Sequence, residues 1–597
     1  MFKHVLVWDL DILFPDGSES SEFHEHIQRL ENTLSQLNEN INNWEVSSLK
    51  IKSILNGMDD IRIGLSEANS FVTCLLAQNP REQTAMKLRE KVSTISARID
   101  FATKRFQSVI ASINPSLLEE LLETEILIEY KFILQEWLQQ AESRLSESEE
   151  MFISELMVNG FHAWNQVYRS LISNLKVCVQ IATETRVLSV GQAINLRSHP
   201  DENVRKECHY ALEGIWYENE ELFAQILNHL AGFRLEVYKQ RGYENVLEEA
   251  LAENRVNEKT LQAMWTAVSK YKDTFTHYLN QKAKMTSDKK MQSYNFWAPV
   301  TKSDQKIEYE EAVSFILTHF SQFGSELESF ARKAFENGWV EAEDRPNKSP
   351  AAFCASFPLS GESRILMTYG NTMNDVLTLA HELGHAFHNH AMQSVKGVNR
   401  YYPMSVAETA SAFAEMIILD AAVEQANSTE EALFFIDEKL KRSVMNFMNI
   451  HARFLFEQNF YEERKKGMVP ASRLNDIMKE ALNEGYDGSF ENASEHSWIW
   501  TPHFYHTKSS FYNFPYTFGY LFSLSIYQKY KETGKAFEKN YIELLRDSGS
   551  MSMEDLVMKH LKEDITSEDF WERGMKVCVT DAEEFIRLLT LSTAEQE

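Results

Sequence analysis

The sequence predicts a mainly α-helical protein with one small β element set directly before a single, chemically loaded helix. Three observations lead there. Apolar residues recur at three- and four-residue steps through much of the chain, as between Leu127 and Leu175, where Phe132, Trp137, Leu145, Phe152 and Phe161 are among the larger members. Only 21 Gly and 12 Pro punctuate 597 residues, which favours long helices with few turns. The pattern changes character once, between about residues 345 and 369, where two short strand-like runs stand.

Taken in order, residues 22–198 read as successive amphipathic helices, with Pro80, Pro115 and Pro200 at their junctions. Helices continue over 204–217, 222–241 and 258–284. A polar, turn-rich connection with Pro299 covers 287–306, and another helix covers 309–337. Arg345-Pro-Asn-Lys-Ser-Pro350 is a loop. Residues 352–357 and 364–369 read as strands joined through Ser360-Gly-Glu-Ser363. Helix returns at Thr372 and dominates the rest. Length alone would allow three or four domains, or one large helical body.

A net charge of −28 argues against nucleic acid as a partner, because phosphate contacts need a basic face. A negative field could attract cationic peptides, although a solvated acidic surface is the plainer reading. The five cysteines (Cys74, Cys178, Cys208, Cys354 and Cys578) are odd in number, widely spaced and form no C-x-x-C, as expected of reduced, mostly buried thiols. The apolar run Val5–Trp8 is interrupted by Asp9 and Asp11 and is too short for a signal peptide; no stretch is apolar enough for a membrane span. A cytoplasmic protein with no membrane or nucleic-acid partner is expected.

The chemistry concentrates at His381-Glu382-Leu383-Gly384-His385. Thr372 is a suitable N-cap and Asp375 suits the first turn of the helix that follows. Histidines at i and i+4 project from one helix face about 6 Å apart along the axis, and two such nitrogens can converge on one Zn²⁺. Glu382 is near enough to act on a water activated by that metal without being a ligand. A catalytic zinc needs a third protein ligand. His388 lies about 10.5 Å along the axis from His381, too far to share one ion easily. The stretch Ser405-Val-Ala-Glu408-Thr-Ala-Ser-Ala-Phe-Ala-Glu415 offers an alternative, its two acids seven apart among small residues that permit close helix packing. On these residues alone, Ser405 and Glu408 read equally well as a capping box.

These motifs resemble those of the thimet oligopeptidase and oligoendopeptidase F family of zincin metallopeptidases, with the oligoendopeptidase F branch most similar. The residues that carry the resemblance are Leu366 through His388, Ser405 through Glu415, His503-Phe-Tyr, and Ser510-Phe-Tyr-Asn-Phe-Pro-Tyr-Thr-Phe-Gly-Tyr-Leu521. It extends from about residue 115 to near the C-terminus. It implies a large two-lobed helical body enclosing a deep channel, with an N-terminal helical lobe over 1–200 and a catalytic domain over 201–597. It further implies one zinc held by His381, His385 and Glu408, with Glu382 as general base and Glu415 orienting a ligand imidazole.

The strand at Ile365–Tyr369 would bind the substrate backbone as an edge strand, unless it is a purely structural hairpin. His503, Tyr512 and Tyr516 would stabilise the oxyanion, with Tyr520 possible and His506 competing with His503. The activity implied is zinc-dependent endoproteolysis of short unfolded peptides. A zinc carboxypeptidase of similar build and a non-catalytic peptide-binding protein are the rivals, and the presence of Glu382 speaks against the second.

Overall fold

The computed structural model describes residues 4–181, 184–286, 288–301 and 306–596. It is mainly helical, as expected, and divides into two compact units, each assembled from three separate stretches. The first comprises Met1–Glu142, Gln305–Ile418 and Lys529–Glu563; the second comprises Ser143–Asp304, Leu419–Gln528 and Asp564–Glu597. Among the described residues no helix is long and apolar enough to cross a membrane.

In the first unit, helices Ser21–Asn42, Ser48–Gln78 and Gln83–Ala111 build an apolar core. Ser20 and Ser47 start the first two, each side chain accepting a backbone N–H of the first turn (from Phe23 and Lys50). Pro80 falls between the second and third helices, and Pro115 opens the helix Pro115–Leu122. Phe23, Ile54, Phe71 and Phe106 are fully buried in this core, each contributing about 1.5–3 kcal/mol of hydrophobic stabilisation. Phe357 and Leu366 of the small sheet are buried in the same core. The β element is thereby fixed to the helical body.

That sheet has three strands, ordered Val340–Glu341, Glu362–Leu366, Phe353–Phe357. The hairpin lies in the expected stretch, but its second strand runs Glu362–Leu366 in place of 364–369, so Glu362 and Ser363 are strand and not turn. The expected edge role is not the one formed either. Glu362–Leu366 is central, antiparallel to Phe353–Phe357 and parallel to Val340–Glu341, and the Met367 and Tyr369 N–H groups donate to Glu341 and Ala342. The segment Ile365–Tyr369 is therefore not an edge strand, because the two-residue partner at Val340 occupies its outer side. That partner is in turn covered by Leu6, whose carbonyl accepts from Ala342 and Glu343. The Ile365 N–H points to Trp339, so Leu366 and Arg364 face the hairpin partner, and the main-chain groups of Cys354 and Ser356 point away from the sheet. The open edge is Phe353–Phe357.

Several helices differ from expectation. Residues 202–241 form one helix, Glu202–Arg241, because nothing between Tyr217 and Leu222 breaks it; Gly242 ends it in a left-handed conformation (φ 77°). The expected helix 309–337 is broken at Gly324, and 258–284 at Tyr271. Within the expected helical run to residue 198, Lys176–Ile181 and Glu184–Ser189 form an antiparallel hairpin instead. Val177 and Val179 alternate into the interior while their neighbours face out, a period of two that the helix reading overlooked.

Candidate active site

The helix Met373–Ala391 begins on a full capping box, with the Thr372 side chain accepting the Asp375 N–H and Asp375 accepting the Thr372 N–H. Val376, Leu379, Ala380, Leu383 and Phe387 bury one face. Phe387 packs on Phe330 and Tyr541, at ring separations of 5.6 and 6.4 Å. The other face presents His381 and His385, both half-buried.

Gly384 sets the relation of this helix to the next. A Cβ there would lie 2.6 Å from Ser411 Cα and closer still to the Ala410 carbonyl oxygen. Only glycine allows the backbones to meet this closely. The contact brings the start of helix Thr409–Glu424 against the two histidines. The short helix Met404–Ala407 ends at Glu408, which has φ −88° and ψ 2°. Glu408 and Glu415 are thus not on one continuous helix, as their spacing suggested. Pro403 is the N-cap of the short helix and Glu408 stands at its C-terminal end, so the capping-box alternative is not the arrangement formed. Ser411 Oγ donates to the Glu408 carboxylate at 3.0 Å and holds it at the junction.

Three side-chain atoms converge. His381 Nε2 and His385 Nε2 are 3.1 Å apart, and Glu408 Oε2 is 3.4 Å from the first and 3.6 Å from the second. Ligand atoms around a tetrahedral zinc with bonds of about 2.0–2.1 Å stand about 3.4 Å apart, so this triangle fits that ion. His381 Nδ1 lies 2.6 Å from Glu415 Oε1, which turns its Nε2 toward the cluster. Burial pushes the His385 imidazole below its usual range against the pull of Glu408, with His381 acting in the same direction as burial, and so favours the neutral ring that binds metals. His388 is elsewhere. It is fully buried, with Nε2 2.9 Å from Ser548 Oγ and its ring stacked on Tyr402.

Glu382 is buried, and its Oε2 has no hydrogen-bond partner among the described residues. Burial raises its carboxyl to about 7; His381 pulls it down and Glu408 pushes it up. A base near neutrality is well matched to proton transfer. The Glu382 charge also helps raise the Cys354 thiol, after the larger effect of burial, so the base lies near the open-edge strand.

The remaining expected site residues lie in the second unit. His503 Nδ1 is 2.7 Å from Asn513 Oδ1, and the His503 ring is 5.2 Å from Tyr512 and 5.6 Å from Tyr516. His506 also packs on Tyr512, at 4.7 Å. Tyr520 turns to Ser443, with its hydroxyl 3.1 Å from the serine Oγ. Phe511, just before Tyr512, is left-handed (φ 49°), and its N–H donates to the buried Glu457 carboxylate at 2.8 Å. Gly384, Asn513 and Glu457 were not singled out from the sequence. Only the first carried a signal there, as a glycine inside a helix.

Comparison with known proteins gives a helical peptidase fold. A candidate peptidase from Chlamydophila abortus superposes with a TM-score of 0.83, at 19% identity, over 98% of each chain. Oligoendopeptidase F from Enterococcus faecium does so at 0.70 and 17%, over 95% of this chain and 99% of that one. An oligoendopeptidase F homologue from Lactococcus lactis subsp. lactis (strain IL1403) is 21% identical over 96% of this chain and 95% of its own. Residues 195–577 match the model of peptidase family M3, and residues 110–176 match the model described as oligopeptidase F. The chain belongs to peptidase family M3.

Proposed function

We propose that the protein is a zinc-dependent endopeptidase acting on short, unfolded oligopeptides, with His381, His385 and Glu408 as the metal ligands. The observation that carries this reading is the triangle of Nε2, Nε2 and Oε2 atoms at 3.1–3.6 Å, its two histidines on a helix where the adjacent Glu382 is buried with Oε2 unpartnered among the described residues. When bound, zinc supplies Lewis-acid polarisation of a water and of the scissile carbonyl.

Glu382 accepts a proton from the attacking water as the new C–O bond forms, and returns it to the amide nitrogen as the C–N bond breaks. Glu415 holds the His381 ring in the orientation that presents Nε2. The peptide lies in extended form along Phe353–Phe357, adding to the outward main-chain groups of Cys354 and Ser356. Backbone pairing of this kind reads length and extension more than side chains. Hydrogen bonds to the oxyanion are assigned to Tyr512 and His503, with Tyr516 beside them, on the motif resemblance alone. All five cysteines are unpaired, which suits a cytoplasmic setting.

Metal analysis joined to a peptide digest tests the reading. Purified protein should carry about one zinc per chain, and 1,10-phenanthroline should abolish hydrolysis, with recovery on adding Zn²⁺. Full-rate hydrolysis in the presence of the chelator would overturn it.

A further inference from the structure

In the second unit, two arginines lie over one tryptophan ring, and among the described residues neither is ion-paired with an acid. The Arg197 guanidinium carbon is 4.7 Å from the Trp500 ring centroid, and that of Arg453 is 5.9 Å from it. Arg197 comes from the turn Leu196–Ser198, Arg453 from the helix Ile450–Arg464, and Trp500 ends the helix Ser497–Trp500. Among the described residues the Arg197 side chain makes no hydrogen bond, and that of Arg453 makes one long bond of 3.4 Å to Asn513 Oδ1. Glu213, the acid that acts on Arg197 electrostatically, is held 2.9 Å from His496 Nδ1.

Both arginines are half-buried, yet neither has a nitrogen that is at once buried and unpaired, so both guanidiniums keep contact with solvent. Burial lowers both, Arg453 to about 10, and the charge on Arg197 lowers Arg453 further.

Two partly desolvated cations facing one ring are unfavourable unless an anion joins them. A guanidinium can stack on an aromatic face while its planar edge binds a carboxylate through two parallel N–H bonds. Trp500 lies against both guanidiniums, and their nitrogens keep contact with solvent. Asn513 then connects the pair to the expected oxyanion group, since it takes the bond from Arg453 and stands 2.7 Å from His503 Nδ1.

We infer that Arg197 and Arg453, stacked on Trp500, form a binding site for a carboxylate of the peptide substrate. This rests on the peptidase reading above. The carboxylate comes either from the peptide C-terminus or from an acidic side chain, and recognition by the two guanidiniums is the same for both.

The test uses a short fluorescent peptide made with a free or an amidated C-terminus, each with a central Glu or Gln. Its Kd is measured by anisotropy on the full-length Glu382→Gln protein, and its cleavage on the zinc-loaded parent. At least one carboxylate should tighten binding about tenfold over the fully neutral peptide. Arg197→Met and Arg453→Met should each bring that ratio toward one, and Arg197→Lys should restore part of it. The change that matters, at the terminus or at the central residue, identifies the source of the carboxylate. Equal affinity for all four peptides would overturn the inference. So would variants that weaken every peptide by the same factor, since that is the mark of a structural role. Arg197 lies on a short turn, so its variants remain informative if Arg453→Met does not fold. Failure of the peptidase reading is a separate result: no peptide is cleaved by the parent, while the affinity ratios remain readable.

Discussion

Gly384 and Ser411 touch backbone to backbone, with no room for a β-carbon at Gly384. Two histidines and a glutamate from different helices converge because this contact lets the helices approach. Gly384→Ala should therefore separate Glu408 from the histidine pair without altering any ligand residue. The expected outcome is weaker zinc binding together with a loss of about 1–3 kcal/mol of stability from overpacking. Zinc titration and denaturant unfolding of the two proteins check this. Unchanged zinc affinity in the alanine protein would count against the packing argument.

Glu408 and His388 separate ligand from scaffold. Glu408→Ala should lose zinc affinity and hydrolysis together. His388→Ala should keep its zinc and lose about 2–4 kcal/mol of stability, because the ring it removes is fully buried against Tyr402 and Ser548. Metal content and melting temperature of both variants decide the matter, and the reverse pattern would make His388 the ligand.

Tyr512 is assigned by motif, so its prediction is kinetic. Tyr512→Phe should retain metal and peptide affinity and lose about 10²-fold in kcat, the size of one oxyanion donor. A kcat within a factor of about two of the parent would leave Tyr512 with packing alone.

Glu457 makes stability depend on pH. Burial raises its carboxyl to about 7, against the Phe511 N–H bond and the charge of Arg234. With the folded pKa above the unfolded value of 4.5, the folded state holds the proton more tightly. The contribution is present in full at low pH and is lost as pH rises from the unfolded value to the folded one. Glu457→Gln stays neutral throughout and can still accept the Phe511 N–H. Relative to the parent, it should gain stability between about pH 4.5 and about pH 7 and hold that gain above. Urea unfolding across this range should show it; a difference independent of pH would exclude Glu457 as the titrating group.

What was legible in the sequence was what is local. The helix carrying His381 and His385 follows from their spacing, from Thr372 and Asp375 at its start, and from the apolar face between. The hairpin before it was equally readable, because strands and turn lie within about fifteen residues. The edge was not. The strand that covers Ile365 is two residues long and begins at Val340, and no periodicity fits in two residues. Glu408 and Glu415 looked like neighbours on one helix, but a Ser411 side-chain bond and a break at Glu408 set their geometry. Arg197, Arg453 and Trp500 are scattered over some three hundred residues, and only folding brings them to one ring.

Glu382, assigned as the base and not as a ligand, carries the proposed mechanism. Glu382→Gln replaces it with a neutral group of the same shape. Zinc content, peptide Kd and kcat should be measured on this protein beside the parent. Zinc and affinity should be retained, and kcat should fall by several orders of magnitude, because the amide neither takes the water's proton nor returns one to the leaving nitrogen. Turnover near the parental rate, with zinc still bound, would contradict the proposed mechanism.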